Sequence, residues 1–191
     1  QSGNPQFGNL EFNNGNGVNL QSNIDAHNIR LNDGPVNLDI YNLDISGDLT
    51  TSGTFGQNSL FFTTAGNASD GGLSRYIDFS ESGAGSETLY PIGTGSVYNP
   101  ARIIQSTDIS DNGKITISPV NDYHPSATNT NKTIQYYWVT DTTGFSTLTY
   151  DQLSYTFTYN GGNIPGNVNK GLVLWPSDYT WYPFNGVVSG N

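Results

Sequence analysis

The sequence predicts an all-β protein, and three observations carry that reading. Aromatic residues make up 13% of the chain and charged residues only 12%, too aromatic a profile for disorder. Gly, Asn and Thr recur throughout, and all three disfavour helices. Apolar and polar residues alternate in short runs bounded by Asn, Asp and Gly, the period-two signature of strands separated by turns.

Residues 1–6 are polar, carry Pro5 and read as a lead-in. Leu10 and Phe12 then alternate with Asn9 and Glu11, and Asn14-Gly15-Asn16-Gly17 interrupts the pattern. Val18 and Leu20 form the next run, followed by Ile24 and Ala26, then Ile29 and Leu31. After the turn Asn32-Asp33-Gly34-Pro35 come Val36, Leu38 and Ile40, then Leu43 and Ile45, then Leu49. Runs this short are not stable alone. Recurring this closely with polar corners, they predict a short β-helix or solenoid over residues 1–68; a meander of small hairpins is the competing reading. Asp25, Asp39, Asp44 and Asp48 fall on the outward positions. Rungs of roughly 18–25 residues would give about three layers. Such a stack has two open ends that need cover.

Residues 69–88 read as a connection, with a short alternation from Arg75 to Phe79. From residue 89 to 191 the runs lengthen. Ile115 and Ile117 alternate with Thr116 and Ser118, and Ile134, Tyr136 and Trp138 define a strand expected to be covered on both faces. Leu153 to Tyr159 alternates most regularly, and Leu172–Trp175 and Thr180–Pro183 make a closing hairpin. Strands at this spacing predict an immunoglobulin-like β-sandwich without the usual cysteine pair. Between the halves lies Tyr90-Pro91-Ile92-Gly93-Thr94-Gly95-Ser96-Val97-Tyr98-Asn99-Pro100-Ala101-Arg102-Ile103, a strand, glycine turn and strand.

These residues resemble a family. Asn9 to Asn14, Gly17 to Leu20 and Gly47 to Gly53 are similar to segments of giant secreted proteins of Bacteroidota. The stretch from Tyr90 to Ile103 resembles their F-P-[IV]-G-x-G-x-x-Y-x-P-[VA]-x-I box, with Tyr90 in place of the usual Phe and Ala101 in place of the usual Val. Trp138 and the run from Leu148 to Tyr159 resemble the part that follows the box. The resemblance implies a secreted or cell-surface protein exported by the type IX system, acting in adhesion, gliding or scaffolding. No stretch resembles the family's C-terminal sorting domain, which leaves a fragment, a processed product or one repeat as the readings.

A formal net charge of −10 argues against nucleic acid and anionic membrane surfaces as partners. The chain has no Cys and no Met, so no disulfide or thiolate metal site is expected, and no apolar run has the length of a membrane helix. Asp108, Asp111 and Asn112 offer oxygens to Ca²⁺, but the EF-hand spacing is not met and an Asx-type turn is the plainer reading. No cofactor is expected beyond that Ca²⁺ candidate. His27 and His124 lack a G-x-S-x-G elbow nearby, and outward carboxylates on so short a stack make a shallow groove; no enzymatic activity is expected.

Phe7, Leu10 and Phe12 at one end and Trp175, Tyr179, Trp181, Tyr182 and Phe184 at the other are the candidates for an assembly or ligand interface. The partners would be other copies of the chain, neighbouring domains or surface glycans. Asn67 and Asn131 fit the N-glycosylation pattern, and Thr142, within Asp141-Thr142-Thr143, fits the O-glycosylation motif expected in the resembled bacteria. Lys114, Lys132 and Lys170 are candidates for an isopeptide crosslink to Asn or Asp. The expected function is a structural or adhesive extracellular module that assembles end to end into a surface fibre or long adhesin. The alternative is a carbohydrate-binding module of a larger secreted protein.

Overall fold

A computed structural model describes residues 3–127, 129–159, 172–175 and 180–183. In chain order the strands of the first half are β1 (Gln6–Asn13), β2 (Val18–Asn19), β3 (Ile24–Asp33), β4 (Val36–Asn37), β5 (Leu43–Ile45), β6 (Leu49–Thr51), β7 (Phe62–Thr64) and β8 (Leu73–Asp78). A single-turn helix, α1 (Phe79–Ser82), follows. Then come β9 (Glu87–Tyr90), β10 (Ile92–Thr94), β11 (Val97–Tyr98), β12 (Ala101–Gln105), β13 (Asn112–Val120), β14 (Tyr137–Thr143), β15 (Leu153–Phe157), β16 (Leu172–Trp175) and β17 (Thr180–Pro183). The fold is all-β.

Parallel pairing organises the first half. β1, β3, β5 and β8 pair in parallel in that order, and β6 pairs β3 further along the same strand. A second sheet runs β2–β4–β7–β10, also parallel. A meander of hairpins, which pairs neighbours antiparallel, is thereby excluded for these strands. Asn9 lies beside Asn28 and Asn23 beside Asn42, each pair separated by 19 residues. Each layer has three straight runs: β3 supplies two of them, pairing β5 through Ile24–Ala26 and β6 through Ile29–Leu31, and β4 supplies the third.

The sequence folds this way because like sits on like. Leu10 stacks on Ile29 and Leu49, and Val36 on Phe62 and Ile92, so each layer buries the apolar surface of the next. The corners are joined by asparagine. The Asn42 N–H donates to Asn23 Oδ1 (2.9 Å), and the Gly72 N–H donates to Asn42 Oδ1 (2.8 Å). One corner requires glycine: Gly34 has φ +73°, and a Cβ there would lie 2.0 Å from the Asn14 carbonyl oxygen.

The next layer is longer, with 30 residues between Asn42 and Gly72. Its loop is tied down by Asp70, which accepts from the Gly66 and Asn67 N–H groups (2.7 and 2.8 Å). Residues 69–88, read from sequence as a connection, hold β8 and α1. β8 pairs β5 on one side and β13, antiparallel, on the other, and β14 pairs β13 antiparallel beyond it. A separate antiparallel sheet runs β15–β12–β9. One cluster of buried side chains extends from Phe12 through Phe62 and Tyr90 to Leu153.

Two expectations need correction. The strand read over residues 134–139 begins at Tyr137 and continues to Thr143. It is not covered on both faces, since Val139 is 44% exposed; β14 is the last strand of its sheet among the described residues. Its inner aromatics do pack, with Trp138 stacked on Phe157 at 4.8 Å between ring centroids.

The central box closes the parallel stack. Ile92 pairs below Phe62, and the Phe62 N–H donates to the Pro91 carbonyl (2.9 Å). Tyr90 is fully buried and its hydroxyl donates to the Ile115 carbonyl (3.0 Å). Burial pushes that hydroxyl pKa well up, so it remains a donor. The Thr158 N–H donates to the Pro100 carbonyl (3.0 Å). The box therefore joins the stack to the strands that follow.

Candidate functional site

The candidate surface is the first layer. β1 and β2 are each the last strand of their sheet among the described residues, so each leaves a row of backbone N–H and C=O groups at an open edge. Side chains show that a layer ends here. Phe7 pairs with Ala26, and Ala26 with Ile45; those two are 4% and 1% exposed, whereas Phe7 is 41% exposed. The same column is buried one layer down and bare at the end. Leu10 is half-buried, and Phe12 is buried in the core cluster, so only part of the front apolar set is accessible.

The rim of this layer is polar and directional. Asn28 Nδ2 donates to Asn9 Oδ1 (2.8 Å), and Asn37 Nδ2 donates to Asn19 Oδ1 (3.0 Å). Asn32 Nδ2 donates to Glu11 Oε1, and Arg30 Nε donates to Asn32 Oδ1 (2.8 Å). A shallow depression of about 360 Å³ lies on the outer side of the first layers, lined among others by Phe7, Asp25, His27, Asp44 and Lys114. Within it Lys114 Nζ donates to Asp44 Oδ2 (2.5 Å). The Lys114 and Asp44 side chains are 35% and 23% exposed, so the pair is partly buried, and Asp44 Oδ1 is buried without a hydrogen-bond partner. His27 Nδ1 and Ser46 Oγ are 3.0 Å apart, a contact missed in the sequence. They are 19 residues apart, so the layer spacing that aligns the asparagines also brings this pair together.

The opposite candidates fare differently. Tyr179 and Phe184 lie outside the described residues, as do the side chains of Trp175, Trp181 and Tyr182; β16 and β17 pair antiparallel with Trp175 opposite Thr180. The described strands bring together another aromatic group instead: Trp138, Tyr155, Phe157 and Tyr159 on and beside β14 and β15. Trp138 Nε1 and the Tyr159 hydroxyl are buried there without a hydrogen-bond partner.

Of the Ca²⁺ candidates, Asp111 has a different role. It is 8% exposed, and its carboxylate accepts from the Ser146, Thr147 and Leu148 N–H groups (2.9, 2.6 and 3.0 Å) and from the Thr147 hydroxyl (3.0 Å). A carboxylate surrounded by donors anchors a loop rather than presenting lone pairs to a cation. Asp108 accepts from the Ala84 N–H (2.9 Å), and Asn112 is exposed. No group of three or more His, Asp or Glu suited to a metal ion occurs among the described residues.

The donors to Asp111, led by the Thr147 N–H, hold its pKa down at about 2 against an ordinary 3.8, while its partial burial pushes the other way. The folded state thus resists a proton that the unfolded state accepts. This contribution to stability is complete above about pH 4 and is lost as the pH falls through about 2. The acid limb of the stability curve is expected to flatten in that window in Asp111→Asn. Urea titrations at stepped pH would show it; an unchanged acid limb would remove Asp111 as the anchor.

Asn67, Asn131 and Thr142 are all exposed. Asn67 Nδ2 donates to Asp70 Oδ1 (3.2 Å), and the Thr142 N–H donates to Asp141 Oδ1 (2.9 Å). No helix among the described residues is long and apolar enough to cross a membrane. Comparison with protein-family models, with curated proteins and with solved structures gives no match.

Proposed function

We propose that this chain is an extracellular structural or adhesive module that assembles end to end. Its first half reads as a short three-sided β-solenoid, given the parallel columns and the 19-residue layer. Its second half reads as a β-sandwich, given two antiparallel groups, β8–β13–β14 and β15–β12–β9, that share one buried cluster. The observation that carries the proposal is the bare first layer, where two edge strands and an exposed core-column Phe7 invite continuation. The resemblance to giant type IX-secreted proteins supports a position on or outside a bacterial surface.

Sedimentation over a wide concentration range tests this. Copies of charge −10 repel over a Debye length that shrinks from about 30 Å at 0.01 M salt to about 8 Å at 0.15 M. Association is therefore expected to strengthen as salt is raised across that range. A chain that stays monomeric at the highest concentration in both salts refutes the assembly reading.

A second reading, a carbohydrate-binding module of a larger protein, is favoured by one observation: Trp138 with its unsatisfied Nε1 inside the cluster of Tyr155, Phe157 and Tyr159. Binding on a glycan array that is lost in Trp138→Ala, with the fold intact, would select it.

A further inference from the structure

The geometry points to a second copy of this chain as the occupant of the open edge of β1, joined head to tail through the open edge of β14. The inference rests on the end-to-end reading and specifies which edges meet.

Strand direction is the first reason. β8 runs parallel to β5, β3 and β1; β13 is antiparallel to β8, and β14 is antiparallel to β13. β14 therefore runs in the same direction as β1, at the opposite edge of the same sheet. A copy placed further along the sheet offers β14 to β1 as a parallel strand, the pairing β1 already makes with β3.

The second reason is the face. One row crosses the whole sheet: Gln6, Asp25, Asp44, Ser74, Thr116 and Asp141 are register neighbours in turn. The row begins on an amide, which can donate, and ends on an exposed carboxylate, which accepts. A sheet continued from copy to copy keeps both on the same side.

The third reason excludes the symmetric alternative. Asn28 Oδ1 accepts from the Asp48 N–H (2.8 Å), and Asn37 Oδ1 accepts from the Asp39 N–H (3.1 Å). Both amides are thus fixed with Nδ2 toward the first layer, where Asn9 and Asn19 receive it on Oδ1. Asn9 and Asn19 then end their ladders on outward N–H donors. Two first layers brought face to face would set these donors against donors, a clash that a head-to-tail contact avoids.

The native chain has no cysteine, so introduced thiols report contacts without background. Gln6→Cys and Asp141→Cys are made in separate preparations, mixed at a concentration where sedimentation shows oligomers, and treated with a short bismaleimide. The crosslink between the two variants is expected as the main product. In unmodified protein, hydrogen exchange in β1 and β14 is expected to slow together, by about tenfold or more, on passing from monomer to oligomer. Oligomers in which Gln6→Cys pairs mainly with itself, or in which β14 gains no protection, overturn this contact while leaving the assembly reading in place. Protein that sediments only as monomer removes both.

Discussion

Truncating Phe62 to alanine is expected to lower the unfolding free energy by about 3–5 kcal/mol. Phe62 is fully buried, and its strand is paired on both sides, to Val36 and to Ile92, which are themselves fully buried. Neither neighbouring layer can move in to fill the space without breaking its own backbone ladder, so most of the cavity should persist. Urea denaturation of the variant should show a lower midpoint at unchanged slope. A loss below about 1 kcal/mol would mean that the layers collapse freely and that the columns do not carry the stability of the first half.

Gly93→Ala is expected to be nearly as damaging, at about 3 kcal/mol or more, for a different reason. A Cβ at Gly93 would sit 1.9 Å from the Val97 carbonyl oxygen and 3.0 Å from the Asn99 nitrogen. These are backbone atoms of the strand that folds back on it, paired through Gly93 and Tyr98, and they cannot rotate aside. Gly95, two residues on, makes the informative comparison. It has φ +56°, and a methyl group added there would meet nothing within 4 Å, so alanine should cost only about 1–2 kcal/mol of left-handed strain. Thermal melts of the two variants should rank them in that order. The reverse order would show that the turn, not the close approach, is what the box requires.

Strand identity is legible in the sequence because alternation is local. Leu10 and Phe12, Leu43 and Ile45, and Ile115 and Ile117 each declare a buried face on their own. The layer length is harder to read. The stacked apolar positions share polarity and not identity, as in Phe7, Ala26 and Ile45, and the spacing changes from 19 to 30 residues after Asn42. β8 reads as part of a connection because its two partners, β5 and β13, are remote in sequence and its run holds Arg75 on the side of Ile45 and Ile115. That guanidinium finds partners only in three dimensions: Nη1 and Nη2 donate to the Leu89 and Gly47 carbonyls (3.4 and 3.3 Å), while Nε is buried without a hydrogen-bond partner. Asp111 looks like a cation ligand for a similar reason. Acidic residues near a turn suggest free lone pairs, and the N–H groups that occupy them come from a loop 35 to 37 residues away. Of the candidate interface, Phe7 is visible as an apolar residue at the front of the chain, but its exposure follows from layer order, which only the pairing reveals.

On the solenoid reading proposed above, tandem duplication of residues 24–42, a length that matches the 19-residue separation of Asn9 from Asn28 and of Asn23 from Asn42, is expected to insert one further rung. Each such copy would lengthen the molecule by about 4.8 Å, the distance between paired strands. A protein of this design can therefore have its reach adjusted in fixed increments by slippage within its own coding sequence, much as a ruler is extended by repeating one division.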